Sequence, residues 1–303
     1  MVKRLNEIVQ EAKRGKSMSL SVACGEDPHT IEAVGKAVRE GIIRATLVGN
    51  KGKIEKVSKE HNVDPQTFEI IDEPNEEKAL RIAVGLVKKR ERDFLMKGLV
   101  DTSKYMRAIL DKENGLLPAG KILSHVTLVE FPLHPKLLIV SDIAVIPKPD
   151  LPAKIAMTQY CIEVAHAFGI EKPKVAIIAA VEKVNLKMAE TLDAAVICKM
   201  AERGQVKGAI VDGPLALDTA VSKESCEIKG LKSAVDGDAD ALIFPNIETA
   251  NVFFKACTKL AGGEIAGVVA GTEVPCILTS RADSEDSKFY SIALGAVLVG
   301  SLK

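Results

Sequence analysis

The stretch "PCILTSRADSEDSKFYSIAL", residues 275–294, places Ser280 and Arg281 at the end of an apolar, strand-like run. Asp283, Ser284, Glu285 and Asp286 then crowd the start of a helical pattern. Phe289, Ile292, Ala293, Ala296 and Val297 recur at helical spacing, so a helix is expected to start near Asp283 or Ser284. A capping aspartate or serine and acids in the first turn satisfy free N–H groups and complement the positive helix end. Arg281 does the opposite, because a cation at a helix N-terminus has the wrong sign. Beside free N–H groups its guanidinium could complete an anion site that grips phosphate through two N–H groups. An ion pair with one of the acids would account for it equally well.

Three other groups of residues could carry chemistry. "VDGPLALDTA" holds Asp212, Gly213 and Asp218 in what reads as a loop after a strand, where α/β proteins hold ligands. "ALIFPNIETANVFFKAC" reads as strand, loop and helix, with Asn246 placed to cap the helix. The histidines His29, His61, His125, His134 and His166 form no HExxH and no short-range pair, so no metal site is expected. His125, in "LSHV", is read as a structurally satisfied histidine. GxGxxG, GxxxxGK[ST] and GxSxG are all absent from the sequence.

These groups need a scaffold. In 303 residues, 41 Lys and Arg balance 41 Asp and Glu, and 47% of residues are apolar. That permits a large core and lacks the basic excess of a dedicated nucleic-acid binder. Trp is absent and aromatics are scarce, so stacking surfaces for bases are few. The six cysteines are scattered without a CxxC pair, as expected of free thiols in a reducing compartment. The polar start and the lack of a long apolar span point to the cytoplasm.

Short apolar runs such as "MSLSVACG", "RATLVGN", "KVAIIAAV" and "IAGVVAG" alternate with helical patterns such as "DPHTIEAVGKAVREGI" and "NLKMAETLDAAVICKMAERG". This alternation predicts α/β layering around largely parallel strands, in two α/β domains with a cleft between them. The boundary is expected near "EFPLHPK", with the last helix returning to the first half. The domains would then be residues 1–133 plus 281–303, and residues 134–280.

Taken together, "VDGPLALDTA", "ADALIFPNIETANVFFKACTKLAGG" and "AGVVAGTEVPCILTSR" resemble the phosphate acetyltransferase/phosphate butyryltransferase family. "LSHV", "KLLIVSDIAVIPKPDL" and "VAIIAAVEKVNLKM" are similar to its butyryl branch. The resemblance implies reversible transfer of a short-chain acyl group, butyryl favoured, between coenzyme A and inorganic phosphate. It implies an isocitrate/isopropylmalate dehydrogenase-like fold with the active site in the cleft, no metal, and no cofactor beyond CoA as substrate and product. It also implies a homo-oligomer and metabolic coupling to an acyl-phosphate kinase.

The family's catalytic Ser–Arg pair matches Ser280 and Arg281, with the arginine on phosphate and the serine stabilising the transition state. The family's aspartate base lies six positions after the arginine, where this chain has Ser287. Asp286 is therefore expected as the base, with Asp283 in reserve. The alternatives are an acetyl-preferring enzyme, a dehydrogenase of related fold, and a non-catalytic acyl-CoA binding protein.

Overall fold

A computed structural model describes residues 2–280 and 283–301. In chain order the strands are β1 (Met18–Ala23), β2 (Ile43–Gly49), β3 (Glu69–Asp72), β4 (Phe94–Lys97), β5 (Ser124–Glu130) and β6 (Leu138–Ser141). Then come β7 (Lys174–Ile178), β8 (Ile210–Leu215), β9 (Ala241–Ile243), β10 (Glu264–Ala270) and β11 (Cys276–Ile277). Helices fall between most of them, the βα alternation that the apolar runs and amphipathic segments dictate.

The chain divides into two compact units. The first comprises Leu5–Leu123 and Ile265–Lys303, the second Met1–Arg4 and Ser124–Glu264. The sequence suggested changes at 133/134 and 280/281; the compact units change at 123/124 and 264/265. Three strands account for the difference. β5 pairs with β6, β11 pairs with β4 and β10 pairs with β11, so each sits in the unit of that ladder partner.

In the first unit the strand order is β3-β2-β1-β4-β11-β10. β1 to β4 and β11 run parallel, and β10 is antiparallel to β11. Leu20, Val22, Leu47, Phe94, Leu95 and Met96 are fully buried along the central strands, near-continuous apolar runs of the kind covered on both faces. The C-terminal helix, Glu285–Ser301, packs on helices Leu5–Arg14 and Pro28–Arg39. It is buried on nearly every side, with Phe289, Ile292, Ala293, Leu294 and Ala296 in the core.

In the second unit the order is β5-β6-β9-β7-β8, parallel except for β5 against β6. β6 ends at Ser141, earlier than "KLLIVSDIAVIP" suggested. Asp142 Oδ1 accepts the amides of Ala144 and Val145 at 2.8 Å, which turns the backbone out of the ladder. β8 runs through Leu215, so the Asp212–Gly213–Pro214 segment is strand and not the loop expected from its turn-forming residues. No helix among the described residues is long and apolar enough to cross a membrane.

Candidate active site

Parallel strands deliver their carboxyl ends to one edge of a sheet, and loops there carry the polar groups. In the first unit that edge gathers the segments after β1, β2, β4 and β11. After β1 the chain turns through Cys24, at φ 57°, to Asp27, whose Oδ2 caps the next helix by accepting Thr30 N at 2.8 Å. After β4, Gly98 lets the backbone pass so close that a Cβ would lie 2.2 Å from the Cys24 carbonyl oxygen. Buried Lys97, the last residue of β4, donates to the carbonyls of Gly98 and Val100 at 3.2 and 3.1 Å.

β11 brings Ser280 to this edge, and three contacts fix its approach. The fully buried Tyr105 hydroxyl donates to the carbonyl of Ile277 at 3.1 Å. Asp283 Oδ2 accepts the Ser280 amide at 2.6 Å. Lys288 Nζ donates to the Ser280 carbonyl at 2.9 Å and to Thr279 Oγ1 at 3.4 Å. Ser280 itself is exposed. Its main chain is therefore held at both ends while its side chain stands at the surface of the unit. Arg281 lies outside the described residues.

The acids after Ser280 divide by role. The Ser284 hydroxyl accepts Ser287 N at 3.0 Å, the N-cap contact expected near this position. Ser287, where the family pattern has its aspartate, is buried against that cap, and its carbonyl accepts the Ser291 hydroxyl at 2.8 Å. Asp286 is exposed and accepts Lys36 Nζ at 2.8 Å. Lys36 also lies 4.4 Å from the centre of the Phe289 ring. Its ammonium loses hydration by burial, yet the Asp286 contact holds its pKa above the ordinary lysine value.

Lys288 was not singled out in the sequence. It is only 3% exposed, and burial lowers its pKa, opposed by the negative charges of Asp27 and Asp283. A signal existed: it is the one basic residue in "EDSKFYSIALGAVLVGS", which has no other charge beyond its first two residues. Thr279 and Asp27 were missed because each looks like an ordinary strand or cap residue.

In the second unit the candidate residues serve structure. Asp142 is buried and accepts Ser124 Oγ and His125 N, both at 2.9 Å, besides its two turn amides. The buried His125 ring shares a 2.8 Å hydrogen bond with Thr127 Oγ1. Asp212 accepts Ser233 Oγ at 2.6 Å and Ala234 N at 2.9 Å. Asp218 and Glu182 share Lys229, whose hydrogen bonds hold both carboxyls below their usual range. Asn246 caps its helix, accepting Thr249 N at 3.0 Å. Among the described residues no group of His, Cys, Asp and Glu could hold a metal ion.

The fold defines the class first. A branched-chain phosphotransacylase from Enterococcus faecalis V583 matches with a TM-score of 0.82 and 30% identity, over 93% of this chain and 99% of that one. In sequence, the chain is 44% identical over 301 residues to a phosphate butyryltransferase of Clostridium acetobutylicum, covering 99% of this chain and all of the relative. It is 46% identical over 291 residues to a phosphate acetyltransferase of Thermotoga maritima, covering 96% and 98%. Residues 4–81 and 73–296 match the model of the phosphate acetyl/butaryl transferase family, and the chain belongs to that family of acyltransferases.

Proposed function

We propose that the protein moves a short-chain acyl group, with butyryl favoured, between coenzyme A and inorganic phosphate. A phosphate oxygen attacks the thioester carbonyl, an oxyanion forms, and the CoA thiolate leaves as the acyl–phosphate bond is completed. Ser280 donates to the developing oxyanion and Arg281 holds the phosphate, chemistry suited to a hydroxyl donor and a planar cation. Asp286 is the candidate base on the CoA thiol in the reverse direction. A thiol with a pKa of about 8.5 needs little help to ionise, so positioning outweighs the base. The reaction runs by direct transfer, without a covalent enzyme intermediate.

The observation that carries this reading is the clamped Ser280 main chain at the carboxyl edge of β11, directly before Arg281 in sequence. Membership of the family supplies the reaction. Acetyl preference is the second reading, favoured by the 46% identity to the Thermotoga maritima acetyltransferase. One methylene is worth only about 1–3 kcal/mol in a pocket, so the two preferences are separated by small changes. A non-catalytic acyl-CoA binding protein is the third, and the buried Ser287 in place of an aspartate is what favours it.

The isocitrate/isopropylmalate dehydrogenase-like fold, a homo-oligomeric state, a cytoplasmic location and metabolic coupling to an acyl-phosphate kinase belong to the same proposal. They rest on the family resemblance. No metal and no cofactor beyond CoA enters the scheme. The test is to incubate the protein with butyryl-CoA or acetyl-CoA and phosphate and trap acyl phosphate with hydroxylamine. Hydroxamate that forms only with phosphate present supports transfer; CoA binding without hydroxamate supports the binding protein.

A further inference from the structure

A cleft of about 340 Å³ opens within the second unit, where β6, β7 and β9 begin. It stands at the amino ends of these strands, away from the carboxyl edge where α/β folds hold their substrates. Leu128 and Ile139, ladder partners on β5 and β6, supply its apolar floor, and Phe168 closes it where the helix Leu151–Ala167 ends. These three are buried, while Ile170 is half-buried at the wall. Val2 N donates to the Phe168 carbonyl at 3.4 Å and Leu137 N to the Lys3 carbonyl at 3.1 Å, so the start of the chain forms one side.

Lys3, Lys136, Lys172 and Lys174 line the cleft against two carboxylates, Asp238 and Asp240. Both aspartates are engaged by the same two lysines. Lys136 Nζ lies 2.7 Å from an oxygen of each, and Lys174 Nζ lies 3.2 Å from the second oxygen of Asp238. Asp240 also accepts Lys174 N at 2.8 Å. The lining therefore carries net positive charge, with exposed Lys172 on its rim. His134 registers the same potential: burial lowers its pKa, and the charges of Lys136 and Arg4 lower it further against that of Asp238.

An apolar floor beneath a positive rim suits an amphiphilic anion. A neutral apolar molecule gains nothing from the lysines, and a bare inorganic anion leaves the floor in contact with water. The bordering aspartates repel a dianion more than a monoanion, which selects a carboxylate head over a phosphate. We propose that this cleft binds a small carboxylate with a short aliphatic chain, its head at Lys172 and its tail against Ile139, Phe168 and Ile170. Neither Ser280 nor any carboxylate considered as the base lines it, so the site is separate from acyl transfer and stands independently of that reading.

The test titrates hexanoate into the full chain, followed by calorimetry and by methyl NMR. Hexanamide serves as the arm without charge and inorganic phosphate as the arm without a tail. Hexanoate is expected to bind saturably in the millimolar range or tighter, with methyl shifts concentrated on Val2, Leu137, Ile139 and Ile170. Hexanamide and phosphate should bind at least fivefold more weakly, and added salt should weaken hexanoate binding. Lys172→Glu, a change of an exposed side chain, should keep the fold and weaken hexanoate binding at least tenfold. No saturable binding, shifts centred on other residues, or equal affinity for hexanamide overturns the inference. So does a Lys172→Glu variant that binds hexanoate as the wild type does.

Discussion

Asp286 Oδ1 lies 2.8 Å from Lys36 Nζ, so the carboxylate assigned as base is tied to a helix of the same unit by an exposed ion pair. Such pairs contribute about 1 kcal/mol or less to stability. Its loss is therefore separable from a loss of chemistry. Asp286→Asn is expected to leave the unfolding free energy within about 1 kcal/mol of wild type. As general base on a thiol that ionises readily, Asp286 should account for roughly tenfold to 10²-fold in kcat in the direction that consumes CoA. Denaturant unfolding and initial rates with acyl phosphate and CoA measure both. If kcat is unchanged in Asp286→Asn and falls in Asp283→Asn, the role passes to Asp283.

The close approach at Gly98 gives a stability prediction. An added Cβ meets the Cys24 carbonyl oxygen at 2.2 Å and that of Ala23 at 2.8 Å, both main-chain atoms that cannot swing aside. Gly98→Ala should destabilise the protein by about 2–3 kcal/mol, as overpacking of a fixed site does. Gly85→Ala meets nothing within 4 Å and sits in helix Glu76–Lys88, so it should be neutral or slightly stabilising. Denaturant midpoints of the two variants should move in opposite directions or differ by that amount.

Much of this was legible in the residues. Alternating apolar runs and helical patterns marked the strands and most helices, Asn246 read correctly as a cap, and Ser284 was one of two cap candidates with Asp283, because Asx and Ser chemistry is local. Lys288 was hidden for a different reason. Its helix is buried almost all round, so hydrophobic periodicity has no polar face against which a misplaced lysine stands out. The end of β6 depended on the Asp142 side chain bonding amides two and three residues ahead, and aspartate followed by an apolar run gives no such notice. "VDGP" read as a turn because Asp, Gly and Pro favour one, while pairing with β7 keeps it in the sheet.

Lys288 also sets a pH dependence of stability. Its folded-state pKa is lowered from 10.5, chiefly by burial, so an unfolded chain binds a proton there at pH values where the folded chain has begun to release it. Unfolding free energy then rises with pH in the window between the lowered value and 10.5. Lys288→Met removes that contribution. The stability of wild type relative to the variant is expected to increase as pH is raised from neutral towards 10.5, measured by denaturant unfolding at several pH values.

The thiols should be inert. Burial pushes Cys24 and Cys276, near the site, up to about 12, and Cys198 in the second unit likewise to about 12. At pH 8 such a group is a thiolate in only about one molecule in ten thousand, and the thiolate is the nucleophile. Native protein treated with iodoacetamide at pH 8 is expected to keep its activity and gain little mass by intact mass spectrometry. Rapid inactivation protected by acyl-CoA would contradict direct transfer and point to a thiol intermediate.

The central claim, that this chain transfers an acyl group between CoA and phosphate through Ser280 and Arg281, is tested most directly by following free thiol from butyryl-CoA with and without phosphate. Wild type and Arg281→Ala are measured in parallel. Phosphate-dependent thiol release by the wild type, reduced at least a hundredfold in Arg281→Ala, is the predicted result. Folded wild type that binds butyryl-CoA and acetyl-CoA yet releases no thiol from either would contradict it, and so would an Arg281→Ala variant as active as wild type.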